Sequence, residues 1–353
     1  MSSTTPFGKV SLPDTGWLAR LAPEDVIEPD LPIIDTHHHL WDRLPAALVQ
    51  APDAPSSTYL LDEFAADFNS GHRLIGTVYL QCHAQYRETG PEAMKPVGET
   101  EFAARIGALS DSGGHGAARV CQGIVGAADL TLGARLRPVL EAHLEAGQGR
   151  FRGVRASAAY DADPVIGNTI DAPGLYQRDD FRAGVAQLAD MGLSLDAWVF
   201  HTQLQDVTDL ARRFPHLNIV MGHCGGPLGY GAYAGKRDEV FAQFKRSLTE
   251  LASCPNVSMK LGGMMIRLAA VDFTKLPAPP SSTELARLWG PYIETCIELF
   301  GPQRCMFESN FPVEKAGANW VTLWNAFKRI TAGASADEKT LLFSGTAQRV
   351  YRL

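Results

Sequence analysis

The densest group of chemically capable side chains is Asp35-Thr36-His37-His38-His39. It follows Leu31-Pro32-Ile33-Ile34, an apolar run that reads as a buried strand. Side chains alternate along a strand, so His37 and His39 face one side and His38 the other. Two imidazoles on one side can converge on a single ion or substrate group. The plainer alternative is a polar strand end with solvated histidines. What the chain puts at its other strand ends decides between them.

Composition narrows the classes. Of 353 residues, 45% are apolar and 20% charged, the balance of a soluble globular protein long enough to bury a large core. A formal net charge of -7, with no block of Lys or Arg, argues against a nucleic-acid partner. No apolar run nears the roughly 20 residues of a membrane span, and Met1 to Asp14 lacks a signal-peptide pattern. Cys82, Cys121, Cys224, Cys254, Cys296 and Cys305 form no CxxC pair, so free, mostly buried thiols in a reducing compartment are expected. Together these predict a cytoplasmic protein acting on a small molecule. A homo-oligomer is compatible with the sequence.

Strand-like runs recur at 32–36, 75–82, 120–127, 151–157, 193–200, 218–222, 257–261 and 305–307. Several are continuously apolar, as in strands buried on both faces. Helical periodicity fills the gaps over 61–69, 100–109, 132–146, 181–191, 204–214, 240–252, 282–300 and 320–331. Gly192, Pro215, Pro255 and Gly301 stop four of these. Eight strands alternating with eight helices predict the α/β class, as a single-domain (β/α)8 barrel over 29–353 after an N-terminal extension at 1–28. A doubly wound sheet is the other arrangement, but it usually places a Gly-rich turn where this chain has histidines. Three long loops, at 43–58, after strand six around 225–231, and at 266–282, would lie over the carboxyl-terminal mouth of the barrel.

That mouth is where the polar residues fall. His37 and His39 end strand one, Gln81 and His83 strand two, Arg155 strand four and His201 strand five. His223 ends strand six, Lys260 strand seven, and Glu308, Ser309 and Asn310 strand eight. Four histidines on three predicted strand ends favour a functional cluster over four separate structural histidines. Arg155 and Lys260, with Arg87 on the loop after strand two, would make the pocket cationic and suit a carboxylate-bearing substrate. Pairing inside the barrel is the competing explanation for Arg155 and Lys260. Gln81 and Trp41 are further candidates for the substrate wall.

Asp35-Thr36-His37-His38-His39-Leu40-Trp41-Asp42 resembles the first-strand signature of the amidohydrolase superfamily. More narrowly it is similar to the amidohydrolase-related branch that contains sugar-acid lactonases and 2-pyrone-4,6-dicarboxylate lactonase. Phe151-Arg152-Gly153-Val154-Arg155, His201, His223-Cys224-Gly225-Gly226-Pro227 and Met306-Phe307-Glu308-Ser309-Asn310-Phe311-Pro312-Val313 continue the resemblance, which runs from Ile33 to Tyr351. It implies a distorted barrel with its site at the strand ends. It also implies His37, His39 and His201 as ligands of a divalent metal such as zinc or manganese, with His223 binding metal or polarising a carbonyl. A metal-free site is the alternative, as in some lactonases of this branch.

The chain departs from the family pattern on strand eight, where Asn310 stands at an Asp position and Glu308 at a Gly position. Gly222 likewise stands where some relatives have Asp. An amide is no base at physiological pH, so Glu308 or one of His201 and His223 must take that role. The implied activity is hydrolysis of a lactone or related cyclic ester of a small carboxylated compound, of sugar-acid or aromatic origin, by water attack at the carbonyl. Two alternatives stand beside it: a metal-dependent decarboxylase of an aromatic acid, and a barrel without its base that only binds a ligand.

Overall fold

The computed structural model describes residues 14–42, 58–263 and 276–353. Positions 43–57 and 266–275 of the expected mouth loops lie outside them.

Eight parallel strands follow one another in chain order around a barrel: β1 (Ile33–His38), β2 (Leu74–Leu80), β3 (Arg119–Gly126), β4 (Phe151–Ser157), β5 (Ser194–Trp198), β6 (Ile219–Met221), β7 (Val257–Leu261) and β8 (Cys305–Phe307). Helices Leu61–Phe68, Val97–Asp111, Arg137–Ala146, Asp179–Asp190, Leu204–Arg213, Arg237–Ala252, Ser282–Phe300 and Trp320–Ile330 cover it, one after each strand. This is the (β/α)8 barrel that the alternation of apolar runs predicts. The helix expected at 132–146 is shorter, because Gly133 takes a left-handed φ of 58° and a 3-10 segment, Leu130–Leu136, precedes it. Helix Ser282–Phe300 starts where its sequence says it should. Ser281 and Glu284 form a reciprocal capping box that satisfies its first free N–H groups.

β5, β6, β7 and β8 are buried along their whole length, as strands covered on both faces must be. Inside the barrel, Ile34, Val78, Leu80, Val125, Val220 and Met306 from five strands pack on Ala347, Val350 and Tyr351 of the C-terminal helix Thr346–Tyr351. That helix plugs the barrel and leaves the strands' carboxyl ends to polar groups.

β1 carries the local feature that sets the site. Asp35 pairs with Thr77 and His38 with Tyr79, so β1 has one residue more than β2 over this stretch. Such a bulge re-aims side chains. His38 turns outward, stacked on Phe64 at 4.5 Å with its Nε2 2.8 Å from Thr77 Oγ1. The segment after β8 meets β1 at one bridge, His38 to Phe311. The seam closes mainly through other bonds. Thr36 Oγ1 donates to the Phe307 carbonyl at 2.8 Å, and Asp35 accepts from Ser309 N at 2.8 Å and Ser309 Oγ at 2.6 Å. Asn310 N donates to the His37 carbonyl and His39 N to the Phe311 carbonyl, both at 2.8 Å.

The segment before β1 lies along the outside of the barrel. Asn325 and Lys328 bind the carbonyls of Asp25, Ile27 and Glu28, and Glu24 accepts from Ser282 N at 2.7 Å. All six cysteines are free thiols. No described helix is long and apolar enough to cross a membrane.

Two buried histidines away from the strand ends make stability depend on pH. His143 lies between Thr100 Oγ1 at 2.8 Å and the Ala127 carbonyl at 3.0 Å. His72 accepts from Lys328 Nζ at 2.9 Å. Burial pushes both down to about 4, with the Lys328 charge adding to the effect at His72. In the unfolded chain each returns to roughly 6.5, so the unfolded state takes up protons that the fold refuses. Stability is therefore full above about pH 6.5 and falls as pH drops towards 4. At pH 5 each histidine accounts for on the order of 1–2 kcal/mol. Urea unfolding at pH 7 and pH 5 should show the loss, and His143→Gln should reduce it. Equal midpoints at both pH values in the unaltered protein would contradict this account.

Candidate active site

The polar centre is built upward from the plug. Lys260 of β7 lies 2.8 Å from Asp196 of β5, and Tyr351 OH donates to the same carboxylate oxygen at 2.6 Å. Lys260 is fully buried. Its charge is thus taken up inside the barrel, and the expectation that it would contact substrate meets a lysine held by its own chain.

Glu308 comes next, also fully buried. Its Oε1 accepts from His223 N at 2.9 Å and from His223 Nδ1 at 2.8 Å. Its Oε2 lies 2.7 Å from His37 Nδ1, off the axis of that ring's N–H. The contact still settles the tautomer, because a bare imidazole lone pair that close to a carboxylate would be repelled. Burial alone would raise the Glu308 pKa, but the His223 and His37 rings outweigh it and hold the carboxyl well below its usual range. Glu308 is therefore an ionised acceptor and a weak base. The His37 and His223 rings lie 4.7 Å apart, and Trp198 stands edge-on to His223 at 4.6 Å.

His39 completes the row. Its Nδ1 donates to the Leu80 carbonyl at 2.8 Å, and its Nε2 lies 3.1 Å from His37 Nε2. Both rings carry their proton on Nδ1, so two lone pairs face each other at that distance. Only a shared proton or a cation makes this arrangement favourable. Burial, then the Arg155 charge, pushes His39 down to about 3, and burial takes His37 well below the usual histidine value. A shared proton is thus disfavoured, and the donor set fits a divalent ion. Among the described residues, one group of three has its donor atoms within 4.8 Å of one another: His37, His223 and Glu308.

His201 stands apart from that group. Its Nδ1 accepts from Leu228 N at 3.4 Å, its Nε2 is buried without a partner, and its ring meets Tyr233 edge-on at 5.2 Å. Burial pushes it down to about 4 against the opposing pull of Asp161. Asn310 hydrogen-bonds to His39 and lies 3.4 Å from Glu314 Oε1. Trp41 stacks on His39 at 6.3 Å, and Gln81 is buried with its Oε1 unpartnered. Arg87 pairs with Glu101.

Arg155 is the exception among the cations. It is partly buried, and its charge acts on His39, His83 and His223, which places it among them. Yet it forms no ion pair and donates no hydrogen bond among the described residues. Glu308 and Asp196 act on it through their charge without a direct bond, and a guanidinium in that state can bind an anion.

The backbone around these groups is strained in one region. His83, Gln85, His223, Cys224 and Asn310 all have positive φ, and all follow the carboxyl ends of β2, β6 and β8. Non-glycine residues rarely adopt this conformation, and it gathers at functional sites. Asp196 and Glu99 also hold the surroundings of the site, although the motifs did not single them out, and Asp35, first in the opening motif, takes a bridging role that the motif did not show. Glu99 accepts from Tyr79 OH, Cys82 N and Ala84 N and fixes the turn after Gln81. For Asp196 the signal was available: a carboxylate inside a strand flanked by apolar residues needs a buried partner.

A row of imidazoles backed by a carboxylate, at the carboxyl ends of a parallel barrel, defines a barrel hydrolase. The sequence profile of the amidohydrolase family matches residues 34–353, and the chain belongs to that family. An uncharacterised protein of Sinorhizobium fredii is 30% identical over 336 residues, covering 92% of this chain and 99% of that one. An L-fucono-1,5-lactonase of Burkholderia multivorans is 27% identical over 321 residues, covering 91% and 96%. A crystal structure of an amidohydrolase from Burkholderia multivorans with bound zinc superposes with a TM-score of 0.68 at 26% identity, covering 91% of this chain and 99% of that one.

Two glycines test the packing of the site. A Cβ on Gly263, whose φ is +63°, would lie 1.8 Å from His223 Nδ1, whereas one on Gly222 would meet nothing closer than 3.6 Å. Gly263→Ala should cost about 1–3 kcal/mol, seen as a lower melting temperature, and Gly222→Ala should leave it nearly unchanged. Equal melting of the two variants would refute this placement of His223.

Proposed function

We propose that the protein hydrolyses a lactone or similar cyclic ester of a small carboxylated compound, with water attacking the carbonyl carbon. The observation that carries this reading is Arg155, a guanidinium without a direct ion pair among the described residues, whose charge acts on His39 and His223. The lactonase named among its relatives supports the reaction class.

Arg155 holds the anionic group of the substrate and sets the carbonyl against the imidazole row. His223 is the base. Its Nδ1–H is held by Glu308, which leaves Nε2 free to take the proton from water. The new C–O bond forms as that proton moves, and the ring C–O bond then breaks. The proton passes from His223 to the departing alkoxide, giving a hydroxy acid. Asn310 donates hydrogen bonds and takes no proton. A divalent ion such as zinc, when held by His37 and His39, supplies Lewis acidity for the oxygen that becomes negative.

The test is a panel of sugar-acid and carboxylated lactones, assayed after chelation and after zinc or manganese reconstitution. At least one should open, and Arg155→Met should lower its kcat/KM about 10- to 100-fold. No turnover of any lactone after reconstitution would overturn the reading.

A further inference from the structure

Glu308 occupies a place the chain has cleared for it. A Cβ on Gly262 would lie 2.2 Å from the Glu308 carbonyl oxygen and 2.7 Å from its Cγ, and a Cβ on Gly263 would collide with the ring Glu308 holds. Two successive glycines at the end of β7 therefore make room for one glutamate and its histidine. The other nearby carboxylates have other contacts, Glu314 lying 3.4 Å from Asn310 Nδ2. Asp35 is taken by Ser309 and His37 N, and Asp196 by Lys260 and Tyr351. Asn310, beside His39, is neutral.

We propose that Glu308 is a positioning residue shared by two histidines. Its carboxylate keeps the Nδ1 protons of His37 and His223 together, so both Nε2 lone pairs face the pocket beside that of His39. It is the carboxylate in direct contact with both rings. Carboxylate partners behind metal-binding histidines act in this way, fixing the tautomer and raising basicity. The unusual feature is that one carboxylate serves two rings that come from strands on different sides of the barrel. This deepens the reading of the same site as a lactone hydrolase.

The test uses the full chain labelled with nitrogen-15 in histidine, freed of metal. In the unaltered protein, nitrogen shifts should report Nδ1-protonated tautomers for both His37 and His223. An amide offers one acceptor and one donor, so Glu308→Gln should switch one ring to the Nε2-protonated form. Zinc affinity, read by competition with a coloured chelator, should fall about 10- to 100-fold in that variant. Asn310→Asp added to it should recover part of the loss, because it restores a charge beside His39. If Glu308→Gln does not fold, Glu308→Asp carries the test, since the shorter acid reaches one ring and should switch the other. Unchanged tautomers, unchanged zinc affinity, or an unaltered protein that holds no zinc would each overturn the proposal. A protein that opens no lactone yet shows the stated tautomer and zinc effects removes the lactone reading and leaves the role of Glu308 standing.

Discussion

The barrel closes on a carboxylate. β8 is too short to ladder onto β1, and Asp35 spans the gap by accepting from both the backbone and the hydroxyl of Ser309. That clamp fixes the residues after Phe307 against the bulge of β1. Glu308 and Asn310 are thereby brought beside His37 and His39, and the site depends on the same contact that completes the fold. Burial pushes the Asp35 carboxyl up to about 7 despite the Ser309 bonds, so its desolvation is a cost the rest of the fold must offset. Buried polar groups of this kind are retained when they fix one geometry.

Charge is managed in layers along the barrel axis. The apolar plug ends at Tyr351, and the Lys260–Asp196 pair sits directly on it. Breaking such a pair leaves an uncompensated buried charge, which is far costlier than never having the pair. Glu308 follows, held ionised by two imidazoles. Arg155 is in register with Asp196 across β4 and β5, and the Glu308 and Asp196 charges act on it. It forms no direct ion pair among the described residues, which leaves its guanidinium open to an anionic ligand.

The fold was legible because parallel strands buried on both faces read as apolar runs; β4, β7 and β8 have the expected limits, and the other strands lie within a few residues of them. Strand-end position also located the chemistry, since every candidate histidine lies within a few residues of the carboxyl end of a strand. Depth and partnership were less legible. Period-2 alternation tells which way Lys260 points but not that Asp196, 64 residues away, waits for it. Nor can it separate Glu308, buried against two rings, from Asn310, two positions on and hydrogen-bonded to a third. The pair Gly262-Gly263 looks like a flexible turn in sequence, and only packing reveals it as space reserved for Glu308 and His223. These are contacts between distant strands, which local pattern does not encode.

The proposed reaction delivers water to a lactone carbonyl. The most direct measurement is a single turnover of a substrate lactone in oxygen-18 water, with mass analysis of the product fragments. One labelled oxygen is expected, located in the new carboxylate. Label in the released hydroxyl group, or a product without label, would contradict it.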